Sequence, residues 1–337
     1  MKIAIHGGEK GFSPRWIEYC KVNNLEYKIV NAYDSNIVNQ LEDCDFFMWH
    51  HSHADYRDVL FAKQLLYSLQ KSGKKVFPNF NTGWHFDDKV GQKYLLEAIG
   101  APLVPSYVFY TKQEAQEWVS STTFPKVFKL RGGAGASNVK LVHTKLEAKA
   151  FVKRAFGRGF SQFDRWGYCK ERFNKWKSGK DSLLGVFKGL VRLFILTPFA
   201  KMHAREKGYI YFQDFIPDNS TDYRIKVVGR RCWGFQRRVR KSDFRASGSD
   251  DLIFDNSQIP IEMLKIALEI ARKLSLQSVA FDFIVDKPHN KYLIVEMSYG
   301  FGFDEREMEN GYWDENLTRH EERFSPFVWM IEDLLKS

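Results

Sequence analysis

The chain has 337 residues, 44% of them hydrophobic and 27% charged, which is enough for two or three domains with their own cores and unlike a disordered or fibrous chain. Its formal net charge is +10, yet residues 151–208 alone hold 14 Lys and Arg against 4 Asp and Glu. The excess is therefore local, which argues against a general nucleic-acid-binding surface and for a confined interaction feature.

Residues 1–85 alternate as a small parallel α/β domain. Strands are expected at Lys2–His6, Tyr27–Val30, Phe46–Trp49 and Lys75–Phe77, with helices at Pro14–Asn23, capped by Ser13, and at Tyr56–Ser72. The start, Met1 to Gly8, reads as a strand meeting a turn and not as the apolar core of a signal sequence. Cys20, Cys44, Cys169 and Cys232 are dispersed without C-x-x-C spacing and read as reduced thiols, so a cytoplasmic protein is expected. Ligands gather at the C-terminal ends of such strands. His6 and the run His50-His51-Ser52-His53 stand at two of them, as an acceptor-binding pair (His6 and His50), a metal site or ordinary loop histidines.

Residues 86–208 follow as a central subdomain: a helix from Lys89, a strand, a second helix and a hairpin around a Gly-rich loop. Lys129 ends the first hairpin strand, and the loop carries Gly132, Gly133, Gly135 and Ser137. Glycines let backbone N–H groups approach phosphate oxygens, and a lysine at the entrance adds charge. The loop is not a Walker motif, since no Gly-Lys-Ser/Thr follows and a strand leaves it.

Within that subdomain, 151–208 is a basic helical insertion. Aromatic and basic residues interleave from Arg158 to Lys177, and Ser182–Leu196 reads as a helix with Asp181, Gly185, Lys188, Gly189 and Arg192 on one stripe. A membrane-spanning role fails on energy, because Lys188 and Arg192 would cost about 5–7 kcal/mol at the bilayer centre. Three readings stay open: a hairpin packed on the core, a helix in the interface of an anionic membrane, or a base-stacking surface for single-stranded nucleic acid.

Residues 209–337 form a C-terminal subdomain of antiparallel strands flanked by helices at Pro260–Leu274 and Phe324–Leu335. Tyr209–Ile216, Asp222–Gly229 and Trp233–Arg238 read as strands, followed by Asp243-Phe244-Arg245. Asp282, in Phe281-Asp282-Phe283, and Glu296, after Tyr292–Val295, occupy inward positions on neighbouring strands. Buried carboxylates are costly unless a cation neutralises them, and hard cations take oxygen ligands, so the pair suggests a magnesium site.

The order of Lys129, the Gly-rich loop, Gln213-Asp214-Phe215-Ile216, Asp222-x-Arg224, Arg237-Arg238, Asp243-Phe244-Arg245, Asp282 and Glu296 resembles the ATP-grasp superfamily over roughly residues 86–300. The look is nearest to the ribosomal-protein glutamate ligase and glutathione synthetase branch. The resemblance implies an α/β (α+β ATP-grasp) fold with ATP and Mg²⁺ as cofactors. It implies that Lys89 and Lys129 touch the ATP phosphates under the Gly132–Ser137 loop, and that Gln213, Asp214, Phe215 and Ile216 form the hinge that reads adenine. Arg224, Arg238 and Arg245 would hold the phosphates and the acylphosphate, and Asp282, Glu296 and Ser298 the metal. Two positions depart from the pattern, Ser298 and Ser247 standing where the family usually has Asn. The activity implied is ATP-dependent, ADP-forming joining of a carboxylate to an amine. The Glu296-Met297-Ser298-Tyr299-Gly300 ending resembles ligases of surface-polysaccharide biosynthesis, which points to a small-molecule, glycan-linked or lipid-linked acceptor, with the insertion facing an anionic acceptor or the inner face of the membrane. A glutamate-adding peptide or protein ligase, and a catalytically weak nucleotide-binding module that docks at a membrane, are the alternatives.

Overall fold

The computed structural model describes the chain except for residues 133–137, 163–168, 170–171, 174–175, 178–181, 195–203, 241–242, 247 and 249–250. Two compact units emerge: 1–86 with 94–103 and 216–337, and 87–93 with 104–215. Residues 1–86 thus share a unit with the C-terminal strands.

The N-terminal part of the first unit runs β1 (Ile3–His6), α1 (Ser13–Val22), β2 (Tyr27–Val30), α2 (Ile37–Gln40), β3 (Phe46–Met48), α3 (Tyr56–Lys71), β4 (Lys75–Phe77) and α4 (Phe80–Gly83). The strands pair in parallel in the order β2-β1-β3-β4. Ile3, Ala4, Ile5 and Phe46–Met48 are buried without alternation, as expected of a parallel sheet covered on both faces. Asp55 caps α3 by accepting from the Arg57 amide. Ser13, expected as the cap of α1, is instead its first residue; Phe12 holds the cap position without a side-chain bond. Pro14 behind it, with its preset φ, suits the first turn.

The second unit holds the start of α5 (Lys89–Ala98), then β5 (Ser106–Phe109), α6 (Lys112–Ser121), β6 (Lys126–Lys129), β7 (Lys140–Val142), α7 (Lys145–Ala155), α8 (Leu183–Phe194) and β8 (Ile210–Asp214). Its antiparallel sheet has the order β5-β8-β6-β7. Thr111 and Thr144 cap α6 and α7 by accepting from Glu114 and Glu147 amides. Ala115, Val119, Ala148, Val152 and Ala155 from those helices bury against Phe128, Ile210 and Phe212 on one face of the sheet.

The first unit resumes with β9 (Thr221–Val228), β10 (Arg231–Arg238), β11 (Leu252–Ile253), α9 (Ile261–Lys273), β12 (Ser278–Asp286), β13 (Lys291–Ser298), β14 (Tyr312–Trp313), β15 (Arg319–His320) and α10 (Pro326–Lys336). Its seven-stranded sheet runs β13-β12-β9-β10-β14-β15, with β11 on β10. Ile225, Val227, Cys232, Val279, Phe281, Phe283, Ile294 and Met297 pack one face against α9. α10 starts at Pro326, two residues later than expected, because proline suits the first helical position. It buries Phe327, Met330, Ile331 and Leu334 in one cluster with Ile3, Ile5 and Trp16.

Candidate active site

Strand alternation along β9 sends Tyr223, Ile225 and Val227 to the α9 face and leaves Asp222, Arg224 and Lys226 on the other. Register then assembles the charges. Asp282 of β12 stands opposite Arg224, and Arg237 of β10 opposite Asp222. Arg224 donates to Asp282 from Nε at 2.7 Å and Nη2 at 2.8 Å, and Arg237 Nη2 reaches the same carboxylate at 2.8 Å. Arg237 also forks onto Asp222 at 2.8 and 2.6 Å. Burial pushes the Asp282 carboxyl up, but the two guanidiniums outweigh it and hold the group well below the usual carboxylate range. At Asp222 burial prevails over Arg237, and the shift is upward.

The resemblance gives the phosphate-holding role to Arg238, whereas its neighbour Arg237 stands on this face. Arg238 points the other way, 61% exposed, with Nε 3.8 Å from Asp251. Alternation from the buried Trp233 and Phe235 was the available signal. Arg237→Ala, which strips a buried partner from two carboxylates, is expected to cost about 3–5 kcal/mol of stability, and Arg238→Ala less than about 0.5 kcal/mol. Urea titration of both variants checks this. Arg245 is turned onto Asp243 within its own loop, Nε 2.7 Å from Oδ2.

Glu296 lies directly opposite Asp282 on β13, and Ser298 two residues on, opposite Ala280. A bulge falls immediately after the pair, where Phe283 pairs with Ile294, so the two carboxylates share one side while the apolar register continues beyond them. A carboxylate offers about four lone-pair directions. Three of those on Asp282 receive guanidinium N–H groups, which leaves one at Oδ1. Two carboxylates and a hydroxyl on one sheet face are oxygen donors of the kind that could hold a hard cation. Among the described residues no cluster of three or more His, Cys, Asp or Glu is suited to a metal.

One step further along β9, Lys226 is fully buried and anchors the segment after Ser298. Its Nζ is 2.7 and 2.6 Å from the Glu307 carboxylate and 2.7 Å from the Gly302 carbonyl, and Trp233 Nε1 donates to Glu307 at 2.7 Å. Burial lowers the ammonium to about 8 despite Glu307. Sequence reading missed this pair. Tyr299, at the start of the same segment, donates to the His51 carbonyl at 2.9 Å.

The histidines divide. His50 stacks on Phe12 at 3.7 Å, its Nδ1 accepts from the Phe12 amide at 3.2 Å, and burial lowers its pKa to about 4. Gly300 approaches it so closely that a Cβ there would stand 3.3 Å from Nε2. His6 accepts the Ala32 amide at Nδ1 (2.9 Å), packs edge-on to Tyr33, and is lowered by burial. Each ring, accepting at Nδ1, carries its proton on Nε2. They face different neighbours, Phe12 and Gly300 for His50 and Ala32 and Tyr33 for His6.

In the second unit Gln213 and Asp214 end β8 with side chains on opposite sheet faces, and each meets a lysine of β6. Lys129 Nζ donates to Gln213 Oε1 at 2.6 Å, and Gln213 donates on to Ser106 Oγ at 3.0 Å, all three buried. Lys126, a residue the sequence reading passed over, is 2.5 Å from Asp214 on the helix-covered face. Phe215 and Ile216 follow the strand end and are half-buried. Lys89 is buried at the start of α5, 4.0 Å from Asp87, and its amide donates to the Arg131 carbonyl at 2.9 Å. A Cβ at Gly132 would come within 3.2 Å of Asp87 Oδ2, so the mouth of the loop closes on the residues before α5. Gly133, Gly135 and Ser137 lie outside the described residues, as does Ser247.

An α/β chain with two such units, one holding a glycine hairpin against a central strand and the other an opposed carboxylate pair, has the ATP-grasp fold. Residues 200–313, which take in β8 through β14, match the RimK-like ATP-grasp domain family. The chain is similar in structure to a RimK domain ATP-grasp protein from Sphaerobacter thermophilus, at 14% identity and TM-score 0.56 over 100% of both chains. It is similar to the D-alanine–D-alanine ligase of Bacillus anthracis complexed with ATP, at 12% identity and TM-score 0.57 over 100% of this chain and 97% of that one. It is also similar to a RiPP-associated ATP-grasp ligase of Chryseobacterium gregarium in complex with ADP and a leader and core peptide, at 16% identity and TM-score 0.56, covering 98% of this chain and 95% of that one. At these identities the likeness is one of fold. No curated protein matches the chain by sequence.

Proposed function

We propose that this chain is an ATP-dependent, ADP-forming carboxylate–amine ligase. The observation that carries the reading is the face on which Asp282 and Glu296 oppose each other while Arg224 and Arg237 bond Asp282. Asp282, Glu296 and the Ser298 hydroxyl would hold Mg²⁺, which supplies positive charge to the β- and γ-phosphate oxygens when bound. Arg224 and Arg237 are the cations for the transferring phosphoryl group, and Arg237 takes the role expected of Arg238. Lys89, Lys129 and the Gly132–Ser137 loop receive the nucleotide phosphates, and the Gln213–Ile216 backbone the adenine edge. The γ-phosphoryl passes from ATP to a substrate carboxylate oxygen, and ADP leaves with the electron pair of the broken O–P bond. An amine nitrogen then attacks the acyl carbon, the C–O bond breaks, phosphate departs with the electron pair, and the nitrogen loses a proton to leave the amide. Positioning and charge neutralisation suffice, and no side chain of the protein acts as nucleophile.

Lys129→Ala is expected to weaken ATP binding by about 1.5–3 kcal/mol, the worth of a charge-assisted contact. Calorimetry that finds unchanged affinity would remove Lys129 from the cradle.

For the acceptor we favour a sugar-linked or lipid-linked carboxylate or amine, supported by the net +10 of residues 151–208, which suits an anionic acceptor. A glutamate-adding peptide ligase is the second reading, favoured by the RimK-like match. A weak nucleotide-binding module rests only on Ser298 and Ser247. ADP release, screened with amino acids, uronic acids and short acidic peptides, separates the three: sugar acids, peptides or nothing will accelerate it. If ATP binds but no acceptor raises ADP release, the ligase reading falls.

A further inference from the structure

Helix α8 is amphipathic the wrong way round for a packed element. Leu183, Leu184, Phe187 and Leu190 are 66, 71, 63 and 47% exposed, whereas Gly185 is buried. At about 100° per residue those four side chains share an arc of roughly 120°. Lys188 is exposed at the edge of that arc. A hairpin packed on the core would bury this face, so the blander expectation for the insertion does not describe α8.

We propose that the exposed face of α8 seats in the headgroup region of an anionic membrane. Length sets the mode of attachment. Twelve residues make a helix about 18 Å long, short of the roughly 30 Å hydrocarbon core. Among the described residues no helix is long and apolar enough to cross a membrane. An apolar arc edged by lysine lies in the interface instead.

Charge selects lipid over the other occupants. The segment 151–208 carries net +10, and Lys177 and Lys188 are exposed. Anionic headgroups complement that charge, and each nearby Lys or Arg adds to the attraction. A second copy docked through the same face on a two-fold axis would bring two such segments together, like charge against like. Nucleic acid would satisfy the charge but not an aliphatic arc of three leucines. Trp176, 38% exposed, adds an amphipathic side chain of the kind that sits at headgroup level, and Phe173, 48% exposed with its ring centroid 5.6 Å away, adds apolar surface beside it.

The test is sedimentation of the full-length protein with vesicles of phosphatidylglycerol and phosphatidylcholine, or of phosphatidylcholine alone. The wild type should pellet with the anionic vesicles at low salt and detach as salt screens charges beyond about 8–10 Å. Neutral vesicles, Leu184→Ser/Phe187→Ser, and Lys177→Glu/Lys188→Glu should each lower the bound fraction more than about tenfold. Circular dichroism and ATP affinity should match the wild type, since none of these residues lies in the nucleotide or carboxylate site; the result is therefore independent of the ligase reading. The proposal is overturned if the wild type stays in the supernatant at low salt, or if Leu184→Ser/Phe187→Ser pellets undiminished. A dimer in sedimentation equilibrium that Phe187→Ser dissociates, without vesicle binding, would assign the face to a second copy instead.

Discussion

Glu296→Gln is expected to lower ligase turnover by about 100-fold or more while leaving the fold intact. The change keeps the side-chain shape and removes one negative charge from a face that already holds Asp282, Arg224 and Arg237. With that charge gone, a divalent cation loses one of two carboxylates. β13 is held by its backbone ladder and by Ile294 and Met297 beneath it, which the substitution does not touch. Unfolding free energy should therefore fall by much less than in Arg237→Ala. Asp282→Asn is a poorer probe, because it also deprives two guanidiniums of their shared partner and so confounds stability with activity. ADP release at saturating Mg²⁺, measured beside urea denaturation, decides the matter; full activity in Glu296→Gln would remove the metal site from this account.

Lys226→Met should cost about 3–5 kcal/mol of stability. Glu307 is 2% exposed, and without the ammonium its charge would stay buried, with the Trp233 indole and the Asp304 amide as its donors among the described residues. The segment from Tyr299 to Asn310, which follows the carboxylate strand, would lose its anchor at Gly302 as well. Adding Glu307→Gln removes the stranded charge and should restore much of the loss, since the two sites are directly coupled. Urea titration of both single variants and the double completes the cycle. A cost below about 1 kcal/mol for Lys226→Met would show that the pair is incidental.

Much of the architecture was readable from local pattern. Ile3–Ile5 and Phe46–Met48 in the N-terminal parallel sheet are unbroken apolar runs, α6 and α7 carry Thr-x-x-Glu starts, and the alternation around Asp282 and Glu296 predicted that the two carboxylates would stand on neighbouring strands. These signals are short-range. Each depends on residues one to four apart, and their periodicity survives whatever the element later packs against.

Tertiary structure decided what periodicity leaves open. Alternation sets Arg237 on the face of Trp233 and Phe235 and Arg238 on the other, but only the pairing of β10 with β9 puts Arg237 beside Asp222 and Asp282. Lys126 looked like an ordinary strand start until β8 brought Asp214 to it across 88 residues. Lys226 and Glu307, 81 residues apart, meet only because the segment after Ser298 folds back over the charged sheet face. The stripe on α8 was visible in sequence, but not which side of it would face outward. Register and packing set these contacts, and both depend on the whole chain: a one-residue slip in a strand exchanges its two faces, and a helix has no exposed side until something covers the other.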